Sequence, residues 1–246
     1  MKIALLGDVH GNLPALEIVL AHARLQNVSA IWNTGDFLGY GAYPNEVVEA
    51  LQQAGAISIL GNYDLKVLRF KGKDKKWQKR KRAEKYLAFQ WAHQTLSRKN
   101  RRFLKSLPEQ RQLDVGGKSA LLTHASPESN EEPLTPATPD ERLRELGRIA
   151  GTDIVVCGHS HQPFARTVGN VLFINPGSVG RPDDGDPRTC YAILEAVGVE
   201  LHIQHYRLEY DVARAVSAIR ENKLPEAFSQ MILKGYDLDT VLQESG

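Results

Sequence analysis

The sequence has few cysteines and no long apolar run. Its 246 residues include two cysteines, Cys157 and Cys190, without a CxxC pair. We therefore expect no disulfide framework and predict a reducing, cytoplasmic location. No stretch of eighteen apolar residues is present, so no membrane span is expected. The start, MKIALLGD, favours a first strand over a signal peptide. With 42% hydrophobic and 24% charged residues, the composition excludes a disordered or collagen-like chain.

Charge of one sign is concentrated in one part of the chain. The net charge is only +2, but the segment Lys66–Lys105 holds 16 Lys and Arg against two acids, Asp74 and Glu84. This basic block either attracts anions or is a solvated helical surface. The rest of the chain is correspondingly acidic.

Strands and helices alternate in the first third of the sequence. Apolar runs predict strands at 2–7, 30–34 and 56–60, with helices opening after Asn12 and at Pro44. This alternation predicts parallel strands joined by right-handed crossovers. We expect one domain over residues 1–246, with the helical region 65–107 as an insertion.

The second half of the chain is predicted to be rich in strands. Thr138 to Glu141 reads as a capping box for a helix ending near Ile149. Short links between the later strands predict an antiparallel second sheet or sheet edge. The predicted strands cover 118–123, 153–157, 164–168, 171–174, 189–195 and 198–206.

Five short polar motifs follow predicted strands. Strand ends in a parallel sheet meet at one crevice, where ligands bind, so we expect these motifs to converge. Each motif taken singly is more often a turn, a cap or a satisfied polar group, and the argument depends on their joint occurrence. The motifs are Asp8-Val-His10, Gly35-Asp36, Gly61-Asn62, Thr123-His124 and Gly158-His159-Ser160-His161.

The side chains in these motifs have the chemistry of metal ligands. Mixed oxygen and imidazole ligands suit Mn, Fe, Ni, Co or Zn. In an extended segment, the i, i+2 pairs Asp8/His10 and His159/His161 would each point to one side. Seven ligands exceed the needs of one ion and predict two divalent ions with a shared carboxylate. The candidate ligands are Asp8, His10, Asp36, Asn62, His124, His159 and His161.

In their order and composition, these motifs resemble those of the calcineurin-like metallophosphoesterases. The stretch NPGSVGRPDDGDPR at 175–188 is similar to the small bacterial phosphodiesterase branch. The resemblance implies an α/β fold, a four-layer α/β/β/α sandwich of two mixed sheets with flanking helices. It also implies two ligand sets with Asp36 bridging them: Asp8, His10 and His161 in one, and Asn62, His124 and His159 in the other.

Two differences from the motifs of the superfamily's phosphatases favour the diesterase branch. The phosphatases of this superfamily carry GD-x-VDRG and GNHE, whereas this chain has Gly35-Asp-Phe-Leu-Gly-Tyr-Gly41 without arginine, and Tyr63-Asp64 in place of His-Glu. The candidate catalytic residues are Asp36, Asn62 and His124, with Tyr63, Asp64 or a water as the group that protonates the leaving group. Tyr63 starts as a weak acid, since an ordinary tyrosine pKa is ~10.

The expected activity is metal-dependent phosphodiester hydrolysis by a hydroxide that bridges two metal ions. Small diesters with good leaving groups, such as aryl diesters and 2′,3′-cyclic nucleotides, are the expected substrates. The alternatives are a phosphomonoesterase, a non-catalytic scaffold of this fold like the retromer subunit, and a nucleic-acid-binding module. The sequence does not indicate the oligomeric state.

Three further residues are candidates for substrate contacts, each with a structural alternative. Asn12 either contacts phosphate or caps a helix. Arg181 lies near the substrate if 175–188 borders the site, although a tight hairpin is slightly favoured there. Trp77, in the basic block, either stacks on a base beside a polyanion or belongs to a solvated helical hairpin that packs through Leu87, Trp91 and Phe103.

Overall fold

Ten strands form two five-stranded sheets in the computed structural model, which describes residues 1–244. The strands are β1 Lys2–Leu6, β2 Ala30–Asn33, β3 Ile57–Ser58, β4 Gln110–Val115, β5 Lys118–Thr123, β6 Ile154–Val156, β7 Phe164–Val168, β8 Val171–Asn175, β9 Thr189–Val197 and β10 Glu200–Leu208. The helices are α1 Leu13–Leu25, α2 Pro44–Gln53, α3 Asn62–Leu68, α4 Asp74–Arg80, α5 Ala83–Thr95, α6 Arg98–Ser106, α7 Asp140–Ala150, α8 Val212–Glu221, α9 Glu226–Lys234 and α10 Leu238–Glu244.

Both sheets are mixed. The first has the order β10-β9-β1-β2-β3, and its β1, β2 and β3 are parallel, as predicted. The second has the order β4-β5-β6-β8-β7, with antiparallel strands at both edges. Of the two predictions for the late strands, one antiparallel second sheet is wrong and antiparallel sheet edges are confirmed. β7 pairs with β8 at one edge of the second sheet, whereas β9 and β10 form an edge of the first.

The layers follow from the alternation of buried side chains along the strands. Ile3 and Leu5 of β1 face the second sheet, while Ala4 and Leu6 face the helices α1 and α2. The outer face of the second sheet is covered by α7, through Leu143 and its neighbours. The predicted four-layer α/β/β/α sandwich is confirmed. Within residues 1–244, no helix has the length and apolarity needed to cross a bilayer.

Helix starts agree with the sequence in two cases and differ in a third. Asn12 caps α1, since its Oδ1 accepts the amide proton of Ala15 at 3.3 Å. Pro44 opens α2, as predicted. The capping box at Thr138 is wrong, because Pro139 occupies the cap of α7 and the Thr138 hydroxyl accepts the amide proton of Thr135 instead.

The region 65–107 is helical, as predicted, and it is fastened to the sandwich. Phe89 and Leu96 belong to the same buried cluster as the side chains of α1 and α2. Of the predicted packing residues, Phe103 contacts this cluster, but Leu87 is 40% exposed, so its assignment was wrong. The organisation of the chain as one domain stays a prediction.

Two asparagine side chains, the buried Asn100 and the half-buried Asn45, connect the inserted helices to α2. Asn100 of α6 is fully buried, and its Nδ2 donates to Asn45 Oδ1 at 3.1 Å and to Glu49 Oε1 at 2.9 Å. Asn45 also accepts the amide proton of Ser97 at 2.8 Å and donates to the Thr95 carbonyl at 3.0 Å. These bonds fix where the basic block sits.

Candidate metal centre

The seven candidate ligands come together where strands of both sheets end. Asp8 follows β1, Asp36 follows β2, and Asn62 opens α3 after β3. The second sheet supplies His124 after β5 and the pair His159 and His161 after β6. The candidate ligands, apart from the half-exposed His159, are buried. A centre in this position joins the two sheets.

Five of the candidate ligands have a strained, left-handed backbone conformation. Non-glycine residues with positive φ are uncommon, yet five of the seven such residues among 1–244 are candidate ligands: Asp8 (57°), His10 (49°), Asp36 (54°), His159 (65°) and His161 (55°). The predicted extended geometry of the two i, i+2 pairs is therefore wrong. Each left-handed residue costs roughly 1–2 kcal/mol. Strain of this kind clusters at functional sites.

The glycines of two motifs are explained by close approach. A Cβ on Gly61 would lie 2.1 Å from Asp36 Oδ1, and a Cβ on Gly35 would lie 2.3 Å from the Gly61 nitrogen. Gly35 also has a φ of 97°. The two loops therefore press against each other at glycines, which brings Asp36 and Asn62 together.

Two histidine side chains face each other at the centre through their Nε2 atoms. His10 Nδ1 lies 3.0 Å from the Leu38 carbonyl, to which it donates, so its Nε2 carries a lone pair. His161 Nδ1 lies 3.4 Å from Asp183 Oδ2, so its Nε2 is the nitrogen that faces His10. The two Nε2 atoms are 3.2 Å apart. A metal ion bound by both Nε2 atoms would take the place of the proton between them.

Other ligand atoms are buried without hydrogen-bond partners. His124 donates from Nδ1 to the Thr34 carbonyl at 2.9 Å, and its Nε2 has no partner among the described residues. The same holds for Asn62 Oδ1. An unpaired buried polar atom costs about 1–3 kcal/mol. The residues present therefore fit divalent metal ions, which would take up these lone pairs.

Asp36 lies between the two groups of ligands. Its Oδ2 is 3.8 Å from His10 Nε2 and 3.6 Å from His124 Nε2. Two triads have ligand atoms within 4.8 Å of one another, namely Asp8/His10/His161 and Asp8/Asp36/His124. In these triads Asp8 is the shared carboxylate, whereas the resemblance makes Asp36 the bridge; the position of Asp36 between two histidines favours the bridge.

The electrostatics of the site also call for a cation. Burial and the Asp8 carboxylate raise the pKa of Asp36 to about 8. Burial and His124 lower the pKa of His159 to about 4, which keeps its imidazole neutral near pH 7. Burial and Arg181 lower the pKa of His161, but the carboxylates of Asp8 and Asp183 outweigh them and raise it to about 9. A proton on His161 thus stands where a metal ion would bind.

Both predicted proton donors, Tyr63 and Asp64, are engaged in hydrogen bonds within the protein. The hydroxyl oxygens of Tyr63 and Tyr40 are 2.6 Å apart, and burial followed by Tyr40 raises the pKa of Tyr63 well above its ordinary value. Asp64 accepts backbone protons from Gly61 at 3.0 Å and Leu38 at 3.1 Å. Asp64 therefore connects the loop after β2 to the start of α3. Burial, followed by the charge of Asp36, raises the pKa of Asp64 well above its ordinary value.

The three substrate-contact candidates have different outcomes. The side chain of Asn12 is fully used, because its Nδ2 donates to the Gly180 carbonyl at 2.9 Å and to Tyr210 Oη at 3.1 Å. Arg181 lies at the centre, with its Nη2 3.5 Å from His161 Nε2 and its guanidinium 5.1 Å above the Tyr40 ring. The segment 175–188 crosses from β8 to β9 in the other sheet, so the hairpin prediction was wrong.

A cleft of about 340 Å³ opens beside the centre on the side of Asn62. Trp77, the third candidate for a substrate contact, lines this cleft and lies in α4. The other lining residues come from α3 and the chain after it, from the residue before β4, and from the chain after β5: Leu65, Lys66, Arg69, Lys73, Glu109, Asn130 and Glu131.

The C-terminal helices close the opposite side. Phe228 of α9 packs edge-on against Tyr40, with ring centroids 5.0 Å apart. The space left between α9 and the side chains of His10 and Arg181 is about 10 Å³, room for about one water. The candidate ligands are therefore closed off on the side of α9, whereas Asn62 lines the open cleft.

Sequence reasoning missed Asp183 and Tyr40. Asp183 holds the outer nitrogen of His161, and Tyr40 contacts both Tyr63 and Arg181. A signal for Asp183 was its place two residues after Arg181, in a segment already noted for its likeness to phosphodiesterases. Tyr40 lies in the stretch where the arginine of the phosphatase motif is absent.

A four-layer sandwich with this Asp and His cluster at its sheet ends defines a metallophosphoesterase. The model of the calcineurin-like phosphoesterase superfamily domain matches residues 1–199, and the chain belongs to that family. An uncharacterized protein of Methanocaldococcus jannaschii is 33% identical over 95% of this chain and 98% of its own length. Phosphodiesterase YfcE of Escherichia coli is 26% identical over 79% of this chain and 88% of its own. The crystal structure of a metallophosphoesterase from Sphaerobacter thermophilus has a TM-score of 0.76 and 28% identity, covering 96% of this chain and all of that one (100%).

Proposed function

We propose that this protein is a phosphodiesterase that works with two divalent metal ions on small phosphodiesters. The observation that carries the proposal is the group of buried ligand atoms that lack partners or face each other, such as His10 Nε2 and His161 Nε2 at 3.2 Å. The similarity to Phosphodiesterase YfcE supports the diester as substrate. Manganese, iron, nickel, cobalt or zinc would suit the mixed ligands.

Two ligand sets would hold the ions, with Asp36 shared between them. When bound, the ions would supply a water-derived nucleophile near neutral pH and offset the negative charge of the phosphoryl oxygens. Outer partners hold the ligands in place through the carbonyls of Leu38 and Thr34 and the carboxylate of Asp183. The first set is Asp8, His10 and His161, and the second is Asn62, His124 and His159.

The remaining side chains position the substrate rather than protonate it. Arg181 is a buried guanidinium beside His161, and its Nε has no partner among residues 1–244, so it can donate to a phosphate oxygen. Tyr63 is engaged with Tyr40 and keeps its proton. A water would therefore protonate the leaving group, which favours substrates with good leaving groups, such as aryl diesters or 2′,3′-cyclic nucleotides.

The first test compares bis-p-nitrophenyl phosphate with p-nitrophenyl phosphate. Metal-stripped protein is assayed after addition of Mn²⁺, Ni²⁺ or Mg²⁺. We expect metal-dependent cleavage of the diester and a loss of at least about 100-fold in Asp36→Asn, which removes the shared carboxylate. The matched control is Asp114→Asn, an exposed residue of β4 that accepts the amide proton of Gly117 and lies outside the centre.

The other outcomes are equally informative. Cleavage of the monoester alone would make the protein a phosphomonoesterase. Bound metal without turnover of either ester would leave a non-catalytic scaffold of this fold. Contact of the basic block with nucleic acid and a cytoplasmic location stay predictions.

A further inference from the structure

A row of cations runs from the candidate centre along the wall of the cleft. Asn62, Lys66 and Arg69 are spaced four and three residues apart in and just after α3, so they share one face of that helix. Lys73 and Trp77 continue the row past a 3-10 turn at Phe70–Gly72 and into α4. All five line the same cleft. The row therefore leads from a candidate metal ligand to an indole ring.

The charge of this row is only partly balanced. Lys66 Nζ lies 2.9 Å from Glu131 Oε1, and Arg69 Nη2 lies 3.8 Å from Glu109 Oε1. The carboxylates of Glu131 and Glu109 are 63% and 52% exposed, so these pairs are weak. Lys73 forms no ion pair within residues 1–244. An anion in the cleft can displace the two carboxylates and meet three positive charges.

Trp77 is held in place and still reaches the cleft. Its ring packs against Phe70 and Phe89, with centroids 6.0 and 5.6 Å apart, and it remains partly exposed. Lys81 Nζ lies 5.3 Å from the centroid of the same ring. These contacts fix the indole, and its exposed part offers a rigid surface for stacking on a planar base.

We propose that the cleft binds a nucleotide that carries a second phosphate in addition to the scissile diester. The second phosphate lies on Lys66, Arg69 and Lys73, and the base stacks on Trp77, while the diester occupies the metal centre. This inference rests on the function proposed above. A volume of about 340 Å³ suits a small ligand rather than a polymer. Only three of the basic block's cations line the cleft, and two acids border it.

Binding to the metal-stripped protein tests the cleft without requiring turnover. The probes are adenosine 3′,5′-bisphosphate and adenosine 5′-monophosphate, titrated calorimetrically at low salt in the presence of a chelator. We expect the bisphosphate to bind about tenfold more tightly than the monophosphate, since one charge-assisted contact is worth about that factor. The double variant Arg69→Gln/Lys73→Gln should lose this preference.

Two controls separate the cleft from general charge and from folding. Lys99→Gln/Arg102→Gln removes two exposed cations of the same block that do not line the cleft, and we expect unchanged binding. Trp77→Leu should weaken binding of both probes about tenfold through loss of stacking, whereas Trp77→Phe should keep most of it. Thermal melting of both Trp77 variants reports whether they fold.

Several results would overturn the inference. Equal affinity for the two probes excludes the second phosphate site. Affinity that rises steeply from a dinucleotide to a ten-nucleotide single strand would assign the cleft to nucleic acid instead. Cleavage of bis-p-nitrophenyl phosphate without nucleotide binding refutes the nucleotide site in the cleft and leaves the proposed phosphodiesterase activity standing. Selective bisphosphate binding without any turnover supports the cleft and refutes the phosphodiesterase.

Discussion

Asp183 is not one of the candidate ligands, yet it influences the protonation of His161. Its Oδ2 lies 3.4 Å from His161 Nδ1 and 3.8 Å from Arg181 Nη2. The carboxylate therefore keeps the outer nitrogen of His161 protonated and directs Nε2 toward Asp8 and His10. The same carboxylate also pairs with Arg181, whose guanidinium lies over the Tyr40 ring.

Replacing Asp183 should weaken metal binding without removing a ligand. We expect Asp183→Asn to lower metal affinity by about 10–100-fold, as measured by competition with a chromogenic chelator. Asp184→Asn is the matched control, because Asp184 is the next residue in the chain and its carboxylate pairs with Arg207 outside the centre. Equal losses in the two variants would refute the assignment of Asp183.

At this scale the sequence predicts ligands better than it predicts what holds them. The seven ligand positions follow from motifs with fixed spacing. Asp183, Leu38 and Thr34 approach the histidines from other loops, two of them through backbone carbonyls that no residue type marks. The left-handed backbone of Asp8 and of the four other candidate ligands with positive φ could not be predicted either, because a residue type other than glycine does not indicate a positive φ.

Asn45 of α2 and Asn100 of α6 connect two helices that lie far apart in the sequence. The buried amide of Asn100 has its donors satisfied by α2. Because that pairing is internal, its loss leaves polar groups buried and unpaired rather than returned to water.

Removing Asn45 should therefore loosen the basic block. We expect Asn45→Ala to reduce the free energy of unfolding by about 2–3 kcal/mol, measured by urea denaturation. Gln53→Ala, an exposed residue of the same helix, should change it by less than about 0.5 kcal/mol. Similar values for both variants would contradict this role.

The elements that the sequence predicted are those with a clear apolar period. β1, β5 and β9 are buried on both faces and were found. β4 was missed, because as an edge strand of sequence QRQLDV it has five polar or half-exposed residues before a single buried valine. The predicted strand at 56–60 shrinks to Ile57–Ser58, since Leu60 bonds to Pro108 instead.

Metal binding should stabilise the whole molecule. A ligand at 100 times its dissociation constant adds about 2.7 kcal/mol. For a chain of this size that corresponds to a rise in Tm of roughly 5–10 °C. We expect this rise when Mn²⁺ is added to stripped wild-type protein in scanning calorimetry. Asp36→Asn should show a much smaller rise, and an unchanged wild-type Tm would contradict a metal centre shared by both sheets.

The closure of the centre by α9 has a consequence for turnover on the proposed function. With Phe228 and its neighbours sealing one side, substrate enters and products leave through the same cleft. A nucleotide product held by Lys66 and Trp77 then stands in the path of whatever was released deeper in the site. The nucleotide product must therefore leave before the product released deeper in the site. Free nucleotide that binds again in the cleft competes with the substrate.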